Sequence, residues 1–209
     1  MTIRTLAIDC ATAACSVAVF EGENLIAGEW ELLGRGHAER LVPMISALPQ
    51  RGRADRIAVA LGPGSFTGIR VGLAAAKALA LAWRAEPVGY ATPDLLAAQA
   101  RADHGAMPLG VVMTGGHGEW FVAAYNADGS CAQPVQSLRP EVAVAAIDCA
   151  LIVGSAAETF VARRGHGTAQ NMLPDARKVM ALSDNAYTAD VRPIYGRAPD
   201  AALPAGKSR

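Results

Sequence analysis

The chain has 209 residues, 52% of them hydrophobic and 18% charged, long enough to bury a core and too apolar to stay disordered. Nineteen basic and nineteen acidic residues leave a formal net charge of zero. That balance excludes the chain-wide basic surface that nucleic-acid or membrane binding uses.

Met1-Thr2-Ile3-Arg4 leads directly into a strand-like run and lacks the basic-then-apolar pattern of a signal peptide. A cytoplasmic protein without membrane association is expected. Residues 5–8, 15–20 and 25–32 read as strands, with Glu21-Gly22-Glu23-Asn24 turning the second into the third. Asp9 ends the first strand, and small and hydroxyl residues follow it. An acidic group in that place can hold a magnesium-bound phosphate, or Asp9 and Thr12 can simply bind turn amides. A helix is predicted over 38–48, with Leu41, Ile45 and Leu48 on one face and Pro43 in its first turns. His37 precedes it and has Leu41 at i+4, where a second metal ligand would stand, so no metal site is expected. His37 then serves capping or a surface contact.

A strand over 56–61 stops at Gly62-Pro63-Gly64, and Ser65 is placed to cap a long alanine-rich helix ending near Trp83. Strand, glycine turn and helix start form the usual phosphate site, but no Gly-Lys-Ser/Thr closes this loop. From Ile69 to Trp83 the helix is apolar nearly all round, broken by Arg70 and Lys77, whereas a helix on one sheet face should carry a polar stripe. Gly68, Gly72, Ala76 and Ala80 recur four apart and share a face that admits a close neighbour. Either a partner protein or the 38–48 helix covers it. A strand over 88–91 then leads to a helix that Thr92 caps and Pro93 opens.

The order so far, β-β-β-α-β-α-β-α, implies an antiparallel meander continued by right-handed β-α units in a mixed sheet. The order restarts near Met107, with strands over 109–113, 120–125 and 135–138, a helix over 139–146, a strand over 150–153 and a capped helix over 155–163. A boundary at 104–106 divides the chain into 1–103 and 104–209, and the repeated order points to duplication. Thr114-Gly115-Gly116-His117-Gly118 stands at the point matching the turn after Asp9. Gly115 and Gly116 are thus either the second jaw of a nucleotide clamp or a plain hairpin turn. After Gly165 periodicity fades, and 192–200 reads as an extended tail packed on the body. Cys10, Cys15, Cys131 and Cys149 form no C-x-x-C pair and read as small apolar packing residues. No G-x-S-x-G elbow or cysteine nucleophile motif is present, so no catalytic residue is assigned.

Leu6-Ala7-Ile8-Asp9-Cys10-Ala11-Thr12, Gly36-His37-Ala38-Glu39-Arg40-Leu41, Gly62-Pro63-Gly64-Ser65-Phe66-Thr67-Gly68-Ile69-Arg70-Val71-Gly72 and the tail Pro193-Ile194-Tyr195-Gly196-Arg197-Ala198-Pro199-Asp200 together resemble the bacterial TsaB family. The resemblance covers the first hundred residues well and the second half mainly in strand order and tail. It implies two RNase H-like lobes of the actin/Hsp70/sugar-kinase superfamily, with mixed sheets and flanking helices. It also implies a non-catalytic scaffold that pairs with a TsaD-like transferase through the 38–48 and 65–83 helices. Leu41, Ile45, Leu48, Gly68, Gly72, Ala76 and Ala80 are the expected interface. A TsaE-like ATPase joins them, ATP and metal sit on the partner subunits, and tRNA is met through the complex, which installs threonylcarbamoyl on adenosine 37 of tRNAs reading ANN codons. A homodimer is open when the partner is absent. Thr114–Gly118 departs from the family's acidic and basic pattern. The rival readings are a nucleotide-dependent ATPase or phosphotransferase built on Asp9, Thr12, Gly115 and Gly116, and a glycoprotease-like peptidase.

Overall fold

The computed structural model describes residues 2–196; residues 197–200 of the expected tail lie outside them. The first sheet holds β1 (Arg4–Asp9), β2 (Ala14–Glu21), β3 (Asn24–Leu32), β4 (Arg56–Ala60) and β5 (Glu86–Tyr90), in the spatial order β3-β2-β1-β4-β5. The β1–β2 and β2–β3 pairs are antiparallel, whereas β1–β4 and β4–β5 are parallel. Parallel neighbours need crossovers. These are α1 (His37–Ala47) and α2 (Phe66–Trp83), which touch each other on one face of the sheet.

A 3-10 helix, Ala176–Ala181, covers part of the opposite face; its Ala176 N–H donates to the Ser16 hydroxyl at 2.9 Å, and Ala176 and Val179 enter the core. With both faces covered, β2 is buried along its length except for Glu21, as a two-sided strand should be.

The second sheet repeats the first strand for strand. It contains β6 (Leu109–Thr114), β7 (Trp120–Tyr125), β8 (Cys131–Leu138), β9 (Leu151–Val153) and β10 (Thr168–Gln170), ordered β10-β9-β6-β7-β8. Its meander is antiparallel and its β6–β9 and β9–β10 pairs are parallel. Side chains alternate across it with period two. Val112, Trp120 and Val122 face α4 (Pro140–Ala146) and α5 (Ala157–Arg164), while Val111, Met113, Phe121 and Ala123 pack with α3 (Thr92–His104). Two mixed five-stranded sheets with flanking helices are the two-lobed architecture expected of this superfamily.

Three local expectations are corrected. Ala91, not Thr92, is the N-cap of α3, and the buried Thr92 hydroxyl has no hydrogen-bond partner among the described residues. Ser155 does not cap α5; Ala156 holds that position, and the Ser155 hydroxyl accepts the Thr114 N–H at 3.0 Å instead. The stretch after Gly165 supplies β10 and two 3-10 helices, elements too short for hydrophobic periodicity to reveal.

Candidate functional site

The turn between β4 and α2 closes on its own chain. Ser65 N–H donates to the Ala11 carbonyl at 2.7 Å. A methyl placed on Gly64 would stand 2.0 Å from that carbonyl oxygen, and one on Gly68 2.0 Å from the Cys10 carbonyl oxygen. The glycines therefore let the start of α2 sit directly on the turn that follows β1. Ser65 caps the helix as expected, its hydroxyl accepting the Gly68 N–H at 3.2 Å. A phosphate cradle needs amides aimed at open space; here the closest approach is to protein carbonyls.

Asp9 is 1% exposed. Its Oδ1 accepts the Ala11 N–H at 2.9 Å, and the Tyr90 hydroxyl lies 3.2 Å from both Asp9 Oδ2 and the Ile8 carbonyl. Burial raises the carboxyl pKa from 3.8 to about 7, against the two hydrogen bonds that lower it. The single Tyr90 proton is within reach of both acceptors, the Asp9 carboxyl and the Ile8 carbonyl. The Thr12 hydroxyl accepts the Ala14 N–H at 3.2 Å. Both residues hold the turn, the plainer of the two sequence readings, and Asp9 presents no open oxygen to a ligand. Gly115 and Gly116 form a hairpin turn, with Gly115 N–H donating to the Glu119 carbonyl and Glu119 N–H to that of Gly116. Tyr90 was not legible as a site residue, since its partner stands 81 positions away.

His37 corrects its expectation of a surface contact: it is buried, with Nε2 3.2 Å from the Ala14 carbonyl. Leu41 is in the core. The pair does not make the two-ligand helix face that a metal ion would need. Among the described residues no group of three or more His, Cys, Asp or Glu side chains could hold a metal ion.

The expected interface residues face inward. Leu41, Ile45 and Leu48 are core residues beneath α1. Gly68, Gly72, Ala76 and Ala80 are buried on α2, and a methyl on Gly72 would meet Cys10, Ile8 and Val59 at 3.6–3.7 Å. The small-residue stripe thus brings α2 close to its own sheet, neither to a partner nor chiefly to α1. The period was read correctly; what it packs against was not, because a β-sheet and a helix both reward small side chains at the contact.

The apolar surplus of α2 lies on its other side. The helix has a mean hydropathy of 1.3 yet is one-third buried. Arg70, Ala74, Lys77, Ala78 and Leu81 are exposed, Leu81 by 84%, and Val42 of the neighbouring α1 is 59% exposed. Phe66 and Tyr195, both about half exposed, extend this face at the helix start. The Arg70 guanidinium lies 3.6 Å over the Phe66 ring and donates to the Tyr195 hydroxyl at 3.2 Å. Large apolar side chains, aromatics and an arginine held together at a surface are the composition of protein-binding anchors. Their 66-70-74-78-81 spacing was readable as the face opposite the glycines.

A model of the TsaD family, tRNA N6-adenosine threonylcarbamoyltransferase, matches residues 31–157, more than half of the chain. The chain is 35% identical over 131 residues to the tRNA threonylcarbamoyladenosine biosynthesis protein TsaB of Escherichia coli K12, covering 60% of this chain and 56% of that one. It is 43% identical over 94 residues to the tRNA N6-adenosine threonylcarbamoyltransferase of Solidesulfovibrio magneticus, covering 42% and 25%. The matched part spans about half the length of the first of these and a quarter of the second. Among solved structures, a Pseudomonas aeruginosa protein described as similar to peptidase YEAZ superposes with a TM-score of 0.80 at 27% identity, covering 94% of this chain and all of that one.

Proposed function

We infer the role of this chain from one premise: it belongs to the TsaD family of tRNA N6-adenosine threonylcarbamoyltransferases, within which it matches the TsaB proteins of threonylcarbamoyladenosine biosynthesis. The reading is a non-catalytic, cytoplasmic scaffold subunit that docks a TsaD-like transferase. A TsaE-like ATPase completes the assembly, tRNA is met through the complex, and the chain self-associates when the transferase is absent. ATP and metal belong to the partner subunits.

One observation carries this reading. Helix α2 is apolar enough to be a core helix, yet only one-third of it is fully buried and eight of its eighteen residues are exposed, a face that a second protein can remove from water. The docking residues are the outward ones, Val42, Arg70, Ala74, Ala78 and Leu81, rather than the inward set that the sequence pattern favours. Non-catalytic status is supported by His37, which is spent on the Ala14 carbonyl, and by the enclosure of Asp9. The burial of Asp9 also speaks against a phosphotransferase built on it.

The test is co-purification with a TsaD-like protein, followed by reconstituted modification of tRNA with and without this chain. The complex is expected to need the chain, and the chain alone to transfer nothing. Leu81→Arg should weaken pairing at least about tenfold, the scale of a buried charge at an anchor, with an unchanged melting temperature. Wild-type pairing by Leu81→Arg and by Val42→Arg would remove these helices from the interface.

A further inference from the structure

By sequence, Cys10 and Cys15 are small apolar packing residues. The structure brings their sulfurs to 3.5 Å, with both thiols free and buried. Asp9 and Ser16 form the last pair of the β1–β2 ladder, and Cys10 and Cys15 are the next residues toward the turn. Antiparallel ladder pairs have Cα atoms about 4.5–5.5 Å apart, and residues one step past such a pair continue near the window of about 4.4–6.8 Å that a disulfide spans.

We propose that Cys10 and Cys15 form an oxidation site that takes a small hydroperoxide and closes reversibly to a disulfide. The two thiols are not equivalent. The contact between them lowers the pKa of Cys15 and raises that of Cys10 well above the ordinary value. Burial, Asp9 and Glu31 push the Cys15 pKa the other way, and Arg40, held by Glu29 and Glu31, adds a smaller lowering; the net direction for Cys15 is down. Cys15 is therefore the attacking sulfur and Cys10 the resolving one. The Cys15 thiolate displaces hydroxide from hydrogen peroxide and becomes a sulfenic acid. Cys10 sulfur then attacks it, the S–S bond forms, and the second oxygen leaves as water with the Cys10 proton. In sum two thiols and one peroxide give one disulfide and two waters. Peroxide is close to water in size, and the exposed Ala13 at the tip of the turn is two residues from Cys15, so the turn is the short way in from solvent.

The pair lies under α2: a methyl on Gly72 would touch Cys10 Cβ at 3.6 Å, and Gly68 rests on the Cys10 carbonyl. Drawing the sulfurs together shifts the seat of the helix whose outer face is the proposed docking surface. That consequence rests on the functional reading above; the chemistry does not.

The experiment uses the full chain with Cys131→Ser and Cys149→Ser, so that only this pair can react. After exposure to hydrogen peroxide, acid quench and denaturation, intact mass is expected to fall by about 2 Da, with both thiols lost to alkylation and restored by dithiothreitol. Cys10→Ser in that background should trap a dimedone-reactive sulfenic acid on Cys15. Unchanged mass with two alkylatable thiols, or gain of oxygen without loss of two hydrogens, would overturn the proposal whether or not the chain docks a transferase.

Discussion

At the scale of single residues, Asp9 carries the clearest consequence. Its carboxyl sits in the core with its pKa raised from 3.8 to about 7, so the folded chain keeps a proton that the unfolded chain has released. Its contribution to stability is full below about pH 4 and is lost as pH rises to about 7, at no more than about 1.4 kcal/mol per pH unit. Asp9→Asn keeps an acceptor for Ala11 and offers an N–H to Tyr90, which is then free to donate to Ile8. The melting temperature of Asp9→Asn minus that of wild type should grow between about pH 4 and about pH 7 and level off above it. A flat difference across that range, followed by thermal denaturation at constant ionic strength, would mean that Asp9 is ionised in the fold. Nothing in the residue's own neighbourhood of sequence announces this. An acidic side chain at a strand end is common to metal sites and to turns, and the burial that separates them comes from Tyr90.

At the scale of elements, α2 separates two kinds of glycine. Gly68 has the Cys10 carbonyl oxygen 2.0 Å from where a Cβ would stand, and backbone cannot move aside as a side-chain tip can. Gly68→Ala should cost about 2–3 kcal/mol, read as a fall in chemical-denaturation midpoint at constant slope. Gly72 finds only ordinary contacts of 3.6–3.7 Å, so Gly72→Ala should lie within about 1 kcal/mol of wild type, helped by the helix preference of alanine. Equal costs for the two would refute the close seating of α2 on the β1–β2 turn. The same packing changes the expectation for Ala76, which is fully buried. Ala76→Arg should unfold the chain, so circular dichroism rather than co-elution is the measurement that reads it.

At the scale of the whole molecule, the two sheets share a topology but not a boundary in the core. Helix α3 sends Leu95 into the first cluster and Leu96, Ala97 and Ala100 into the second. Ala176, Val179, Leu182 and Val191 return from the far end of the chain to the first cluster. A fragment ending at His104 would lose these four and expose the α3 face that meets the second sheet. It should fail to show a cooperative thermal transition by circular dichroism. A sharp transition would make residues 1–103 an independent lobe in the strict sense.

The sequence by itself determined the alternation of strands and helices, the restart near Met107, the glycine turn ahead of α2, and through these the fold and the family. Such features are local: period-two and period-four spacing and turn chemistry act within a few residues. It also determined that α2 carries more apolar surface than one neighbour needs. Only the tertiary structure decided which side of α2 is spent on the chain's own sheet, that Asp9 is enclosed by Tyr90, and that Cys10 faces Cys15. Each depends on contacts between distant strands or across a turn, where a side chain's environment is set by what the fold brings to it rather than by its neighbours in the chain.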